Sequence, residues 1–265
     1  MTASASVGTA DVRFEKAGRV ATVTITRPER RNTINSRIAL EVYEVLDHAS
    51  RDPDIAVLVL RGEGRDFCAG ADVVPDAAGS ARGPGDVDLR QFDVAKQLYG
   101  MRALTIAAIR GGCAGAGMGW ACCCDFRVAD TTAKFNTAFL DVGVAGDMGL
   151  PWTLGRMIGT AQARELCFFP RKVGAAEALQ LGLVTRLWDE DKFEDELVAM
   201  AKKLASAAPL ALQTLKANFI DAERGSFDSL VEVEGVRHVR LFYSEDRSEA
   251  FSAYIEKRAP RYQGR

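Results

Sequence analysis

The chain has 265 residues, 48% of them hydrophobic, with 34 Lys and Arg against 36 Asp and Glu, a formal net charge of −2. That is enough for one substantial core and at most a small appendage, and too little positive charge for a general nucleic-acid surface. No segment approaches the roughly 20 uninterrupted apolar residues that a membrane helix requires.

The opening MTASASVGTA is small and polar, without a basic region ahead of an apolar run. It reads as a frayed tail and not as a signal peptide, and the expected location is cytoplasmic. DVRFEKAGRVATVTITRP then predicts an antiparallel pair, Val12–Glu15 and Val20–Ile25, turning at Ala17-Gly18. Asn35 or Ser36 can cap a helix through about Ala49, with Ile38, Val42, Val45 and Leu46 on one face. Ala56–Leu60 is apolar at every position and predicts a strand buried on both sides. Residues 75–88 are rich in Pro, Gly, Ala and Asp and predict a surface loop.

A helix over Leu89–Arg102 and a second buried strand, Thr105–Ile109, follow. Gly117–Cys124 predicts a closely packed helix, and Phe126–Ala129 and Lys134–Asn136 predict short strands. Helices are expected over Ala161–Phe168 and Ala175–Leu181, with a brief strand at Leu183–Leu187. The remainder patterns as helices over 191–207, 209–223, 228–243 and 247–257. Strand–helix units first and helices last make this an α/β core, residues 11–190, with a C-terminal helical region, residues 191–258. That region is placed to close a site or to join subunits.

Six cysteines include a run, Cys122 to Cys124, but no CxxC, and His48 and His238 are the only histidines. Three neighbours on a helix point three ways, so no tetrahedral metal site is expected and the thiols read as packing.

The stretch CAGA occurs at 68–71 and again at 113–116, each time after an apolar run ending in Arg-Gly. Gly70 and Gly115 permit unusual dihedrals and a close ligand approach. The next residues, Ala71 and Ala116, carry amides that a first helical turn leaves unpaired. Two readings are open: tight packing of two βα units, or two amides converging on one oxygen as an oxyanion hole. Neither copy is a phosphate-binding Walker loop, and Trp120 spoils a dinucleotide fingerprint.

ITRPERRNTIN at 25–35, RGEGRDFCAGAD at 61–72, GCAGAGMGWACCCDFRVAD at 112–130, AAEALQLGLVTRLW at 175–188 and SEDRSEAFSAYIEKRAPRY at 244–262 occur in the order found in the crotonase family. The chain resembles that enoyl-CoA hydratase/isomerase group over nearly its whole length after the first ten residues. The resemblance implies a crotonase-like core of repeated ββα units, a homotrimer or dimer of trimers, and acyl-CoA thioester substrates. It implies no tightly bound cofactor, coenzyme A being the carrier of the substrate. It also implies that the two oxyanion donors are the backbone N–H groups of Ala71 and Ala116.

The family's hydratases use two glutamates, and their positions here hold Gly119 and Phe139. A two-carboxylate hydration mechanism is therefore not expected. The register instead places Asp147 where several family isomerases, and the aromatic dehalogenases, carry a catalytic aspartate. Asp147 between Gly146 and Gly149 can project into a pocket as a proton shuttle, or make a turn ahead of the helix after Pro151. Asp141 is the weaker acid.

Met118, Trp120 and Phe139 are expected as acyl-pocket wall or core. Arg27, Arg31 and Arg65 are candidates for the CoA phosphates or plain surface charges. The backbone around Ala69, Asp72 and Gly115 is the expected adenine and pantetheine contact. The favoured activity is a carbon–carbon double-bond shift in an enoyl-CoA. Hydration of a 2-enoyl-CoA and a non-catalytic acyl-CoA-binding paralogue are the alternatives.

Overall fold

A computed structural model describes Thr9, residues 11–72, Gly85 and residues 87–265. The loop expected over 75–88 lies largely outside the described residues. The strands are β1 (Val12–Ala17), β2 (Val20–Ile25), β3 (Val57–Gly62), β4 (Leu104–Ile109), β5 (Gly112–Ala114), β6 (Phe126–Asp130), β7 (Lys134–Asn136), β8 (Val173–Gly174) and β9 (Arg186–Trp188). The helices are α1 (Ser36–Arg51), α2 (Arg90–Gly100), α3 (Ala116–Cys123), α4 (Leu150–Ile158), α5 (Thr160–Phe168), α6 (Ala175–Leu181), α7 (Phe193–Ala205), α8 (Pro209–Ala222), α9 (Phe227–Phe242) and α10 (Glu245–Glu256).

Six strands form the main sheet in the order β1-β2-β3-β4-β6-β9. The β1–β2 pair is antiparallel and the rest are parallel. The apolar runs of β3 and β4 have a direct cause in the two-residue strand period. Leu58, Leu60, Ala107 and Ile109 face the main core. Their neighbours Val57, Val59, Ile106 and Ala108 face Phe193, Leu197 and Met200 of α7. The helix α7, expected with the C-terminal region, thus covers the second face of the sheet.

On the first face lies α1, whose Ile38, Val42, Val45 and Leu46 are all buried. Asn35 rather than Ser36 caps it, its side chain accepting from the Ile38 N–H at 3.0 Å. The helix α8 is fastened by a buried charge: Lys216 Nζ donates to Asp125 Oδ2 at 2.8 Å and to the Ala103 carbonyl at 2.9 Å. The helix α9 has no buried residue, and Val231, Val236, Val239 and Phe242 on it are exposed.

A second sheet, β5-β7-β8, carries the start of the second CAGA segment in β5. The strands β5 and β8 are only three and two residues long and carry no readable period, so only the structure reveals them. Among the described residues all six cysteines are free, and five are buried. Burial pushes the Cys122 thiol up to about 11 and those of Cys68 and Cys124 to about 12. No group of three or more His, Cys, Asp or Glu among the described residues is placed to hold a metal. No helix among them is long and apolar enough to cross a membrane.

Candidate active site

The two CAGA segments lie side by side. Cys68 and Cys113 form a parallel bridge, in which the Cys68 N–H donates to the Gly112 carbonyl and the Ala114 N–H to the Cys68 carbonyl, both at 3.0 Å. Gly70 and Gly115 face each other across this pair, at φ +104° and +51°. A Cβ added to Gly70 would lie 3.1 Å from the Ala114 carbonyl oxygen, and one added to Gly115 would lie 3.7 Å from the Gly70 Cα. Gly70 serves both dihedral and clearance, and Gly115 serves its positive φ.

Each turn is followed by an amide left over. The Gly70 carbonyl accepts from the Ile34 N–H and the Asp72 N–H donates to the Ile34 carbonyl, so the groups on either side of Ala71 are occupied. The Gly115 N–H donates to Asn136, and its carbonyl accepts the Gly119 N–H, which starts α3 at Ala116. Neither the Ala71 nor the Ala116 N–H donates a hydrogen bond within the described residues. Two leftover amides on paired turns have the form an oxyanion needs.

The helix α3 also organises what lies around it. A Cβ on Gly117 would sit 2.6 Å from the Cys68 carbonyl oxygen and 2.7 Å from the Cys68 Cβ, so this glycine seats the first turn. A Cβ on Gly119 would sit 2.6 Å from the Met148 Cβ and 3.6 Å from the Asp147 carbonyl oxygen, so this one seats the 146–149 turn. The position expected to hold a hydratase glutamate has no room for a side chain.

Asp147 lies in a turn of unusual backbone. Gly146, Met148 and Gly149 have φ of +102°, +52° and +68°. The Asp147 carbonyl accepts the Leu150 N–H at the start of α4, while its side chain takes no capping role. Its Oδ1 is buried without a hydrogen-bond partner among the described residues. Burial raises its pKa above the ordinary carboxylate value, with no charge among the described residues opposing that shift. Asp141, by contrast, is exposed.

Phe139 packs its ring against Gly146, about where a Cβ there would meet it at 3.4 Å. With Leu150, Trp152, Cys167 and Phe168 it lines an apolar groove of about 820 Å³ on the α4–α5 side of the turn. Met118 and Trp120, expected as pocket wall or core, are core, at 1% and 0% exposure.

The basic candidates separate. Arg27 is only 8% exposed, and its guanidinium donates to the Thr33 carbonyl at 2.7 Å and to Asp72 at 3.3 Å. It braces the 27–33 loop instead of presenting charge to a ligand. Arg30, which sequence reasoning passed over, completes that brace by gripping both Asp72 oxygens at 2.7 and 2.8 Å. These ion pairs hold the Asp72 side chain. Asn32 is also part of the scaffold: it holds φ +54°, accepts the Arg27 N–H, and donates to the Glu63 carbonyl at 2.9 Å. Asn before a short polar turn was its only sequence signal.

Arg31 is exposed and pairs bidentately with Asp66 at 3.0 and 3.1 Å. Arg65 is exposed and forms no ion pair with a described residue. The Ala69 N–H donates to the Arg31 carbonyl, which joins the first turn to this basic loop.

Residues 15–265 match the model of the family described as enoyl-CoA hydratase/isomerase. The chain is 34% identical over 249 residues to a Mycobacterium leprae (strain TN) protein named "Probable enoyl-CoA hydratase echA8", covering 92% of this chain and 94% of that one. It is 31% identical over 250 residues to the 1,2-epoxyphenylacetyl-CoA isomerase of Escherichia coli (strain K12), covering 93% and 95%. An enoyl-CoA hydratase structure from Bacillus anthracis superposes with a TM-score of 0.90 at 25% identity, over 96% of this chain and all of that one.

Proposed function

The chain belongs to the enoyl-CoA hydratase/isomerase (crotonase) family, and from that premise we propose that it shifts a carbon–carbon double bond in an enoyl-CoA. The observation that carries this reading is Asp147: a carboxylate raised by burial, with an unpartnered oxygen, on the turn seated against the helix that begins at Ala116. Hydratase-named and isomerase-named relatives match at similar identity, so family membership alone does not choose the reaction.

In the proposed reaction the thioester oxygen accepts hydrogen bonds from the Ala71 and Ala116 amides. The Asp147 carboxylate takes a proton from the carbon at one end of the allylic system. The electron pair moves through the double bond onto the thioester oxygen, and the two amides stabilise the resulting enolate. The Asp147 carboxylic acid exchanges its proton with solvent and delivers one at the other end, and the carboxylate is regenerated. Phe139 and the groove beside it offer apolar surface for the acyl group. Arg31 and Arg65 are the exposed guanidiniums for the CoA phosphates, with the backbone at Ala69 and Gly115 along the pantetheine.

The exposed apolar face of α9, with Tyr254 and Ile255 of α10, supports a homotrimer or a dimer of trimers; light scattering after gel filtration reads this directly. The reaction is tested by incubation with 3-enoyl-CoA and 2-enoyl-CoA in deuterated water. A labelled double-bond isomer is expected. Rapid 3-hydroxyacyl-CoA formation without isomerisation would replace the proposal with hydration, and binding without turnover would leave an acyl-CoA-binding protein.

A further inference from the structure

We infer that Gly119 and Cys123 of α3 are positioning residues, which lock the Asp147 turn in place through Met148. This rests on the reading of Asp147 as the proton shuttle, but its geometry stands apart from any reaction. Met148 touches α3 at two points one helical turn apart. Its Cβ fills the notch over Gly119, where an added Cβ would lie 2.6 Å away. Its carbonyl accepts the Cys123 Sγ–H at 3.3 Å. The spacing of four places Gly119 and Cys123 on one face of the helix, so both grip the same residue.

The lock holds a conformation that the turn would not keep alone. Met148 is a non-glycine residue at φ +52°, and such backbones persist where the surroundings determine them. Both contacts are buried: Met148 is 6% and Cys123 5% exposed. The helix that supplies them starts at Ala116, the proposed second oxyanion donor. The distance between proton acceptor and oxyanion donor is thereby set by one rigid helix and not by a loop.

Gly119→Ala tests the lock. The clash is with a Cβ next to the backbone, so the 147–148 turn must move. Isomerisation kcat is expected to fall by roughly 10²-fold while KM for the CoA ester changes little. Met148→Gly removes both the colliding atom and the left-handed strain, so the double variant is expected to recover most of kcat. Cys123→Ala should lower kcat by roughly five-fold and Cys123→Ser, which keeps a donor, should restore it.

A reaction-independent readout accompanies these. The Asp147 carboxyl carbon, followed by NMR through an acid titration of the ligand-free protein, should titrate closer to the ordinary carboxylate range in Gly119→Ala. An unchanged titration and unchanged kcat in Gly119→Ala would overturn the lock. A displaced titration together with full turnover by Asp147→Asn would keep the lock and remove Asp147 from the chemistry. If Gly119→Ala does not fold, the Cys123 pair decides, with equal kcat in the Ala and Ser variants overturning the inference.

Discussion

Cys68 and Cys113 open the two CAGA segments and sit opposite one another in a parallel bridge. The repeated tetrapeptide is therefore one structure, two segments joined through a single bridge, with Gly70 and Gly115 face to face and the alanine amides just beyond. The close approach that packs the two turns also brings the spare Ala71 and Ala116 amides onto adjacent turns, as the proposed oxyanion hole requires.

The second amide can be removed with small cost to the fold. Ala116 is the first residue of α3, where proline is tolerated because its missing N–H had no helical partner. Ala116→Pro is expected to lower kcat by ~10²–10³-fold. The melting temperature and far-ultraviolet circular dichroism should stay near those of the parent, and steady-state kinetics reads the loss.

Asp147 should set the acid limb of the activity profile. As a base it must be ionised, and burial raises its pKa, so kcat/KM should rise with pH through a value above the ordinary carboxylate range. Asp147→Asn should abolish isomerisation and flatten that limb, while CoA-ester affinity by calorimetry changes little.

The same carboxylate should cost stability. A group that binds its proton more tightly folded than unfolded loses stability as pH rises from its unfolded value through its folded one. The Asn variant should therefore melt higher than the parent at pH 7. The difference should disappear below the ordinary carboxylate range, as calorimetric melts across pH would show.

The buried Lys216–Asp125 pair should matter to α8. Lys216→Met leaves Asp125, which also accepts from the Thr105 N–H and hydroxyl, without its counter-charge. A loss of about 1–2 kcal/mol is expected from denaturant unfolding, because the half-buried Asp125 charge loses its counter-charge but keeps its Thr105 hydrogen bonds.

The thiols should be inert in the folded protein. Five cysteines are buried, and Cys167 is half-exposed. Iodoacetamide at pH 8 is expected to modify at most Cys167 before unfolding and all six afterwards, read by mass spectrometry.

The sequence by itself determined the elements with a strong period and the order of the motifs. The strands β2 and β7 and helix α6 fall where the pattern places them, because alternation and helical spacing are local properties. The absence of glutamate at 119 and 139 was equally legible. Tertiary structure decided everything that depends on residues distant in the chain. It turned Arg27 inward onto Asp72, put Met118 and Trp120 in the core, and spread α7 over the second face of the sheet. It also filled the space over Gly119 with Met148, 29 residues further on. A glycine in a sequence marks where a side chain is missing; which atoms take its place follows only from how the chain packs.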